Sequence, residues 1–138
     1  MDKVDAVSIV EDFWKSVWQE QNVEAIDRFV VEDFVITSDG VDIKSREKFK
    51  EWVGQFLERI NDFNFEVIET FQNESGTRVA SRWKVTGRNN GILGSVKDQS
   101  PISFTGTAVW ALNEEGKLLH NWVERSTLAL AKALRYSD

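Results

Sequence analysis

The stretch from Pro101 to Arg125 constrains the fold of this chain more than any other. Two β-prone runs, PISFTGTAVWAL and LLHNWVER, flank the turn Asn113-Glu114-Glu115-Gly116-Lys117. Two such runs separated by a short loop that contains glycine are typical of a β-hairpin. The second run holds the only histidine of the sequence, close to a tryptophan and a glutamate. The sequence therefore predicts a long hairpin that carries titratable side chains.

The predicted pairing of this hairpin places those side chains on one face. It joins Leu112 to Leu118. The opposed pairs are then Trp110 with His120, Ala108 with Trp122, and Gly106 with Glu124. Because side chains alternate between the two faces of a strand, His120, Trp122 and Glu124 share one face. The other face holds Leu119, Asn121, Val123 and Arg125. A small residue opposite a large one leaves space, so the first face is predicted to border a pocket.

Length and composition limit the possible classes of protein. The chain has 138 residues, of which 41% are hydrophobic, and this predicts one domain over residues 1–138 with a sizeable core. A formal net charge of −6 argues against nucleic acid as a partner, because nucleic-acid binders carry clustered lysine and arginine. The absence of cysteine excludes disulfides and thiolate metal sites.

The expected location is the cytoplasm. The first residues, MDKVDAVSIVEDFW, scatter charges among apolar positions and so lack the apolar core of a signal peptide. No apolar run approaches the roughly 20 residues that span a bilayer, so no membrane association is expected.

Apolar spacing predicts three helices in the first half of the chain. A repeat of three and four residues runs from Val4 to Trp18 and predicts an amphipathic helix that ends near Gln21. Asn22 is a predicted N-cap for a short second helix. Ser45 is a predicted cap for a third helix that ends near Ile60.

The rest of the chain predicts mostly strands. A short strand, residues 34–37, precedes the turn Ser38-Asp39-Gly40. Longer strands are predicted from Phe63 to about Gln72 and over residues 77–88, before the hairpin. Residues 89–100 form a glycine-punctuated loop, interpreted either as a mobile lid or as an ordinary connection, and a short helix follows the hairpin. This order predicts an α+β fold in which a curved antiparallel sheet wraps over three N-terminal helices.

The order of these elements resembles the NTF2-like superfamily and, within it, the SnoaL-like polyketide cyclase group. The residues that carry the resemblance are Gly106-Thr107-Ala108-Val109-Trp110, Glu115-Gly116-Lys117-Leu118 and Asn121-Trp122-Val123-Glu124. The resemblance covers Met1 to about Arg135. It implies a conical α+β barrel with a pocket at its wide end. It also implies a protein that acts on or binds hydrophobic small molecules, and a homodimer formed through the outer surface of the sheet.

The resemblance also implies a position for a catalytic group. In cyclase-type members an acid/base aspartate lies four residues after the last-strand tryptophan, and here that position is Ser126. A serine hydroxyl without a base does not remove a carbon-bound proton at neutral pH. The nearest carboxylate in the sequence is Glu124.

His120 and Glu124 are therefore the predicted catalytic residues. Histidine exchanges protons near physiological pH, and a glutamate against tryptophans in an apolar cavity would have its neutral form favoured. The alternative for His120 is a position at the pocket rim. The alternative for Glu124 is a structural ion pair with Arg82 on a neighbouring strand.

The predicted ligand-binding residues form an aromatic wall with polar groups beside it. Trp83, Trp110, Trp122 and Phe104 would make the wall, although aromatic residues in strands are more often plain core. Arg82 or Asn121 would stabilise an enolate if the strands bring them into the pocket. Asp39 is interpreted either as a second carboxylate at the pocket mouth or as a residue that caps a turn.

Two hypotheses for function follow. The first is a protein that binds a hydrophobic carbonyl compound and catalyses proton transfer, as in cyclisation or isomerisation. The second is a non-catalytic ligand-binding or dimerisation domain. A homodimer is predicted from an apolar and threonine-rich face that comprises Thr105, Thr107, Val109, Leu119 and Val123. No cofactor is expected, since the sequence lacks dinucleotide-binding and P-loop motifs, and one histidine without cysteine makes a metal site improbable.

Overall fold

A computed structural model describes residues 5–136 of the chain. Val4, where the first predicted helical pattern begins, lies outside this range. The elements in chain order are α1 (Ala6–Phe13), a π-helix (Trp14–Gln19), a 3-10 helix (Val23–Arg28), β1 (Val30–Ser38), β2 (Val41–Lys44), α2 (Arg46–Glu58), β3 (Ile60–Gln72), β4 (Arg78–Asn89), a 3-10 turn (Ile92–Gly94), β5 (Pro101–Leu112), β6 (Leu118–Arg125) and α3 (Thr127–Tyr136). None of the described helices is both long enough and apolar enough to cross a membrane.

The first predicted helix is present, but it changes form halfway. Asp5 caps α1, since its carboxylate accepts a hydrogen bond from the Ser8 amide. At Trp14 the helix widens into the π form, which is uncommon and is frequently found at functional sites. The π-helix buries Trp14, Val17 and Trp18. The apolar stripe predicted from the sequence thus faces the core, with two tryptophans on its second half.

The third predicted helix is confirmed as α2. The Ser45 hydroxyl accepts a hydrogen bond from the Lys48 amide at 3.2 Å and so caps the helix. The buried face of α2 carries Phe49, Val53 and Phe56. These side chains pack against the inner face of the sheet and fix the distance between the two layers.

Six strands form one curved, mixed sheet in the order β2-β1-β6-β5-β4-β3. The sheet is antiparallel, as predicted, at every described pairing except one, since β1 and β6 pair in parallel. These two strands are joined through most of the chain, so no tight turn forces them to run in opposite directions. Strand β2 was not predicted. Asp39 and Gly40 both have positive φ, 52° and 80°, and turn the chain straight back into β2.

The hairpin of β5 and β6 has the predicted start but not the predicted register. Leu112 pairs with Leu118, and Ala111 then pairs with His120, so Leu119 is an extra residue in a β-bulge. A shift of one residue exchanges the two faces of a strand. The resulting pairs are Trp110 with Asn121, Ala108 with Val123, and Gly106 with Arg125.

The bulge decides which side chains meet the helices. Asn121 and Val123 are buried on the inner face of the sheet, whereas Trp122 is 39% exposed on the outer face. The predicted pocket face of β6 is therefore its outer face. The predicted outer position of Val123 is also wrong.

Aromatic side chains fill much of the space between the sheet and the helices. Trp110 is fully buried, and its ring centroid lies 4.8 Å from that of Phe13 and 5.5 Å from that of Trp14. Phe34 and Phe49 pack together at 4.7 Å. These edge and offset contacts are the arrangements that aromatic pairs prefer. The core thus joins α1, the π-helix and α2 to the middle of the sheet.

Candidate functional site

A small apolar cavity lies between the helices and the inner face of the sheet. The space open to the centre of a water-sized sphere is about 30 Å³. The wall is mainly aromatic, with tryptophans from the π-helix, α2 and β4, namely Trp14, Trp18, Trp52 and Trp83. Since one water requires about 10–15 Å³ by this measure, the cavity has room for about two waters in this form.

Two polar side chains of β6 line this cavity, and both face it because of the bulge. Asn121 is 2% exposed, and its amide Nδ2 donates to the Val109 carbonyl at 3.2 Å. Arg125 ends the strand at the other side of the wall. The sequence prediction included Asn121 on the condition that the strand turned it inward, and placed Arg125 on the face away from the pocket.

Arg125 is held between a carboxylate and two aromatic rings. Its Nη2 donates to Asp39 Oδ2 at 2.8 Å and to Ser38 Oγ at 3.2 Å. The guanidinium carbon lies 5.7 Å from the Trp52 ring centroid and 5.3 Å from that of Phe56. The ion pair and the ring faces both favour the cation in a side chain that is only 13% exposed. Asp39 therefore lies beside the cavity and fixes Arg125.

Helix α3 and the 3-10 turn close the cavity beside Arg125. A second, smaller space lies there, and it shares Phe56 and Arg125 with the main cavity. Leu130 of α3 and Ile92 of the turn are buried against it. Ile92 thus folds back from its loop onto this space, while Leu93 is 44% exposed. This side of the cavity is formed by short elements, the 3-10 turn and the ten-residue helix α3.

His120 lies on the outer face of the sheet, next to β1 and β2. Its Nε2 is 2.8 Å from the Thr37 hydroxyl, which itself donates to Asp42 Oδ1 at 2.6 Å. Because the Thr37 hydroxyl donates its only proton to Asp42, it accepts a hydrogen bond from His120 Nε2–H. The imidazole also stacks on Trp122, with ring centroids 4.0 Å apart. Partial burial lowers the pKa of His120 below its usual value, and the Asp42 carboxylate opposes this shift.

Glu124 and Arg82 also lie on the outer face, but they do not form the predicted ion pair. Arg82 Nε is 3.3 Å from Glu69 Oε1 on the adjacent strand β3. Thr107 of β5 stands between Arg82 and Glu124 in the row of paired residues. Glu69 is thus the direct neighbour of Arg82, whereas Glu124 lies two strands away, on β6.

Ser126, at the position implied for the family's aspartate, has a structural contact. Its hydroxyl accepts a hydrogen bond from the Thr105 amide at 3.0 Å and lies 3.3 Å from the Thr105 carbonyl. It therefore ties the start of α3 to β5.

The predicted aromatic wall is divided among four places. Trp83 lines the cavity, as expected. Phe104 lines the smaller space near α3, Trp110 is in the core behind the cavity, and Trp122 is on the outer face. The tryptophans of the π-helix and α2 were missed as wall residues. The helical spacing of Trp14 and Trp18 was a signal for burial, but not for a cavity.

Comparison with known proteins agrees with this geometry. The family model for SnoaL-like polyketide cyclases matches residues 8–134. Comparison with curated proteins gives no match.

Similar solved structures span nearly the whole chain. A SnoaL-like protein from Jannaschia sp. CCS1 has a TM-score of 0.88 at 14% identity, over 100% of this chain and 99% of that one. A protein from Acidithiobacillus ferrooxidans, described as a polyketide cyclase, has a TM-score of 0.82 at 21% identity over 100% of both chains. A Catenulispora acidiphila protein with a ketosteroid isomerase-like fold has a TM-score of 0.74 at 12% identity, over 99% and 96%.

The curved sheet over helices is thus the ketosteroid isomerase-like, or NTF2-like, α+β fold, as predicted. The chain belongs to the SnoaL-like polyketide cyclase family.

Proposed function

We propose that the protein binds a small apolar carbonyl compound in the cavity between the helices and the sheet. The observation that carries this proposal is the composition of the wall, which is apolar and mainly aromatic except for Asn121 and Arg125. Apolar walls with a few placed polar groups are typical of small-molecule sites. Asp39 supports the site by holding Arg125 in position.

Ligand binding requires the cavity to grow. Typical ligand pockets measure about 300–1,000 Å³, far more than the space present in this form. The wall near α3 is where growth costs least, because few of its side chains are buried and Leu128 is 69% exposed. An outward movement of Leu130 would join the smaller space to the cavity beside Phe56 and Arg125.

A matched pair of substitutions tests where the ligand binds. Val123→Phe fills the cavity from β6, whereas Val109→Phe adds the same ring on the outer face of β5. We expect Val123→Phe to weaken the binding of cyclic ketones at least tenfold, as measured by isothermal titration calorimetry, with Val109→Phe close to wild type. Equal binding by both variants, or no ketone binding by the wild type, would exclude the cavity as the site.

Proton transfer is proposed at one of two places, the cavity or the outer face of the sheet. Within the described cavity wall Arg125 is the one ionisable residue, and Asp39, bonded to it, is a candidate base at the cavity edge. The predicted pair His120 and Glu124 would have to act on a ligand at the outer face of the sheet. We favour the cavity, because aromatic side chains surround a ligand there on several sides, whereas Trp122 and Phe71 each lie open on the outer face.

A second proposed property, homodimerisation, is supported by the outer face of the sheet. Paired residues of four strands form an apolar row across it, namely Trp122, Val109, Ala80 and Phe71. Phe71 is 55% exposed and Val109 is 37% exposed. Around the row this face carries both positive and negative residues, including Arg82, Lys84, Glu69 and Glu124. A second copy of the chain can therefore meet the face without net repulsion.

Charge placed in the apolar row should separate such a dimer. We expect Val109→Lys to shift the sedimentation coefficient from that of a dimer to that of a monomer at micromolar concentration, because the row would bury an unpaired charge. Leu128→Lys, on exposed α3, is the control and should sediment like wild type. A monomeric wild type would contradict the proposal.

A further inference from the structure

Two buried donors in the cavity wall have no hydrogen-bond partner among the described residues. They are Trp83 Nε1–H and Arg125 Nε–H. A buried polar group without a partner costs free energy, and native structures leave few such groups unpaired. Trp83 is 5% exposed, so bulk water does not reach its indole nitrogen easily.

The sheet places these two donors in one row, with a glycine between them. Gly106 pairs with Trp83 on one side and with Arg125 on the other. A Cβ added at Gly106 would lie 2.6 Å from Cε2 of Trp83, the ring atom bonded to Nε1. The indole therefore extends over Gly106, from β4 towards Arg125 on β6. The missing side chain is what allows this approach.

The chemistry of the row selects an acceptor that has no hydrogen to donate. A water molecule at the row would need acceptors for its own two hydrogens, and the surrounding wall is largely aromatic. A carbonyl oxygen accepts two hydrogen bonds and leaves nothing unpaired. Asp39 already neutralises the Arg125 guanidinium through Nη2. A ligand carboxylate would therefore bury an unbalanced negative charge, which costs free energy.

We propose that Trp83, Gly106 and Arg125 form an oxygen-binding site that takes the carbonyl group of an uncharged apolar ligand. This inference rests on the proposed function. It adds the two donor atoms, Trp83 Nε1 and Arg125 Nε, that select the ligand. Trp83 and Arg125 determine specificity by donating to one oxygen, and Gly106 keeps the path between them open.

Binding of three small probes tests this site. Cyclopentanone, cyclopentane and cyclopentanecarboxylate share a ring and differ in their oxygens. We expect cyclopentanone to bind about tenfold more tightly than cyclopentane, since two hydrogen bonds are gained. The Trp83 indole N–H signal in a ¹⁵N-correlated NMR spectrum should shift with the ketone and not with the hydrocarbon. The signal of Trp110, which is also unpaired but lies outside the wall, should stay in place.

Two tryptophan variants separate hydrogen bonding from packing. Trp83→Phe removes the free donor and should lower cyclopentanone affinity about fivefold while leaving cyclopentane affinity unchanged. Trp14→Phe makes the same change in the same wall, but the Trp14 N–H already donates to Ser81 Oγ at 3.0 Å. We expect it to change the ratio of ketone to hydrocarbon affinity less than twofold.

The outcomes distinguish this inference from the proposed function. If cyclopentanone and cyclopentane bind equally in the cavity, or if both variants lose ketone affinity alike, the oxygen site is wrong and the cavity remains a binding site. If cyclopentanecarboxylate binds more tightly than the ketone, the ligand is not uncharged and the inference fails. If none of the probes binds, both proposals fail.

Discussion

Asn89→Ala is expected to lower the free energy of unfolding by about 3 kcal/mol, because it leaves two buried backbone donors unpaired. The Asn89 side chain is fully buried, and its Oδ1 accepts from the Gly91 amide at 3.0 Å and the Ile92 amide at 2.9 Å. Its Nδ2 donates to the Val96 carbonyl at 2.9 Å and to Asp98 Oδ1 at 3.2 Å. One amide thus organises the whole loop that follows β4. Urea denaturation followed by circular dichroism measures the loss.

The control for this prediction is Asn61→Ala. Asn61 is exposed and donates one side-chain hydrogen bond, to Gln99 Oε1. Its replacement should cost less than about 0.5 kcal/mol, the usual range for surface changes. If Asn89→Ala costs no more than Asn61→Ala, the conformation of the loop over residues 89–100 does not depend on the buried amide.

Gly106→Ala is expected to destabilise the protein by about 2 kcal/mol, the usual cost of overpacking. The new methyl carbon would overlap Cζ2 of Trp83, so the indole must move away from Gly106. We expect the variant to lose the preference for cyclopentanone over cyclopentane as well. Urea denaturation and calorimetric titration with both probes measure the two effects.

Gly54→Ala supplies a matched control in α2. A Cβ at Gly54 meets nothing within 4 Å, and alanine favours a helix by about 1 kcal/mol over glycine. We therefore expect Gly54→Ala to be neutral or stabilising and to keep the ketone preference. A Gly106→Ala protein with wild-type stability and preference would show that Trp83 does not depend on the open position.

The sequence predicted most of the elements because their patterns are local. In β4, predicted as a strand over residues 77–88, Val79, Ser81, Trp83 and Val85 alternate with exposed or half-buried residues, and all four are buried. The cap at Ser45 and the stripe of α2 are likewise set within a few residues. Non-local pairing was less predictable. Nothing in the residues around β1 and β6 specifies that they run parallel.

The predicted register of the β5–β6 hairpin is wrong from one residue onward, Leu119. A bulge there puts two residues of β6 against one of β5, and neither glycine nor proline marks it in the sequence. Every side chain after the bulge changes face. His120 and Glu124 therefore moved to the outer surface, and Asn121 and Arg125 to the cavity. Their predicted catalytic roles remain predictions for that outer surface.

The central claim is that ligand binds inside the cavity and not on the sheet surface. Isotope-filtered NOE spectra of the full chain with saturating cyclopentanone test it directly, since tryptophans lie in both places. We expect NOEs from the ligand to the indole protons of Trp14 and Trp83, and none to Trp122. NOEs to Trp122 without any to Trp83 would show that the ligand binds on the outer surface beside His120, and would contradict binding in the cavity.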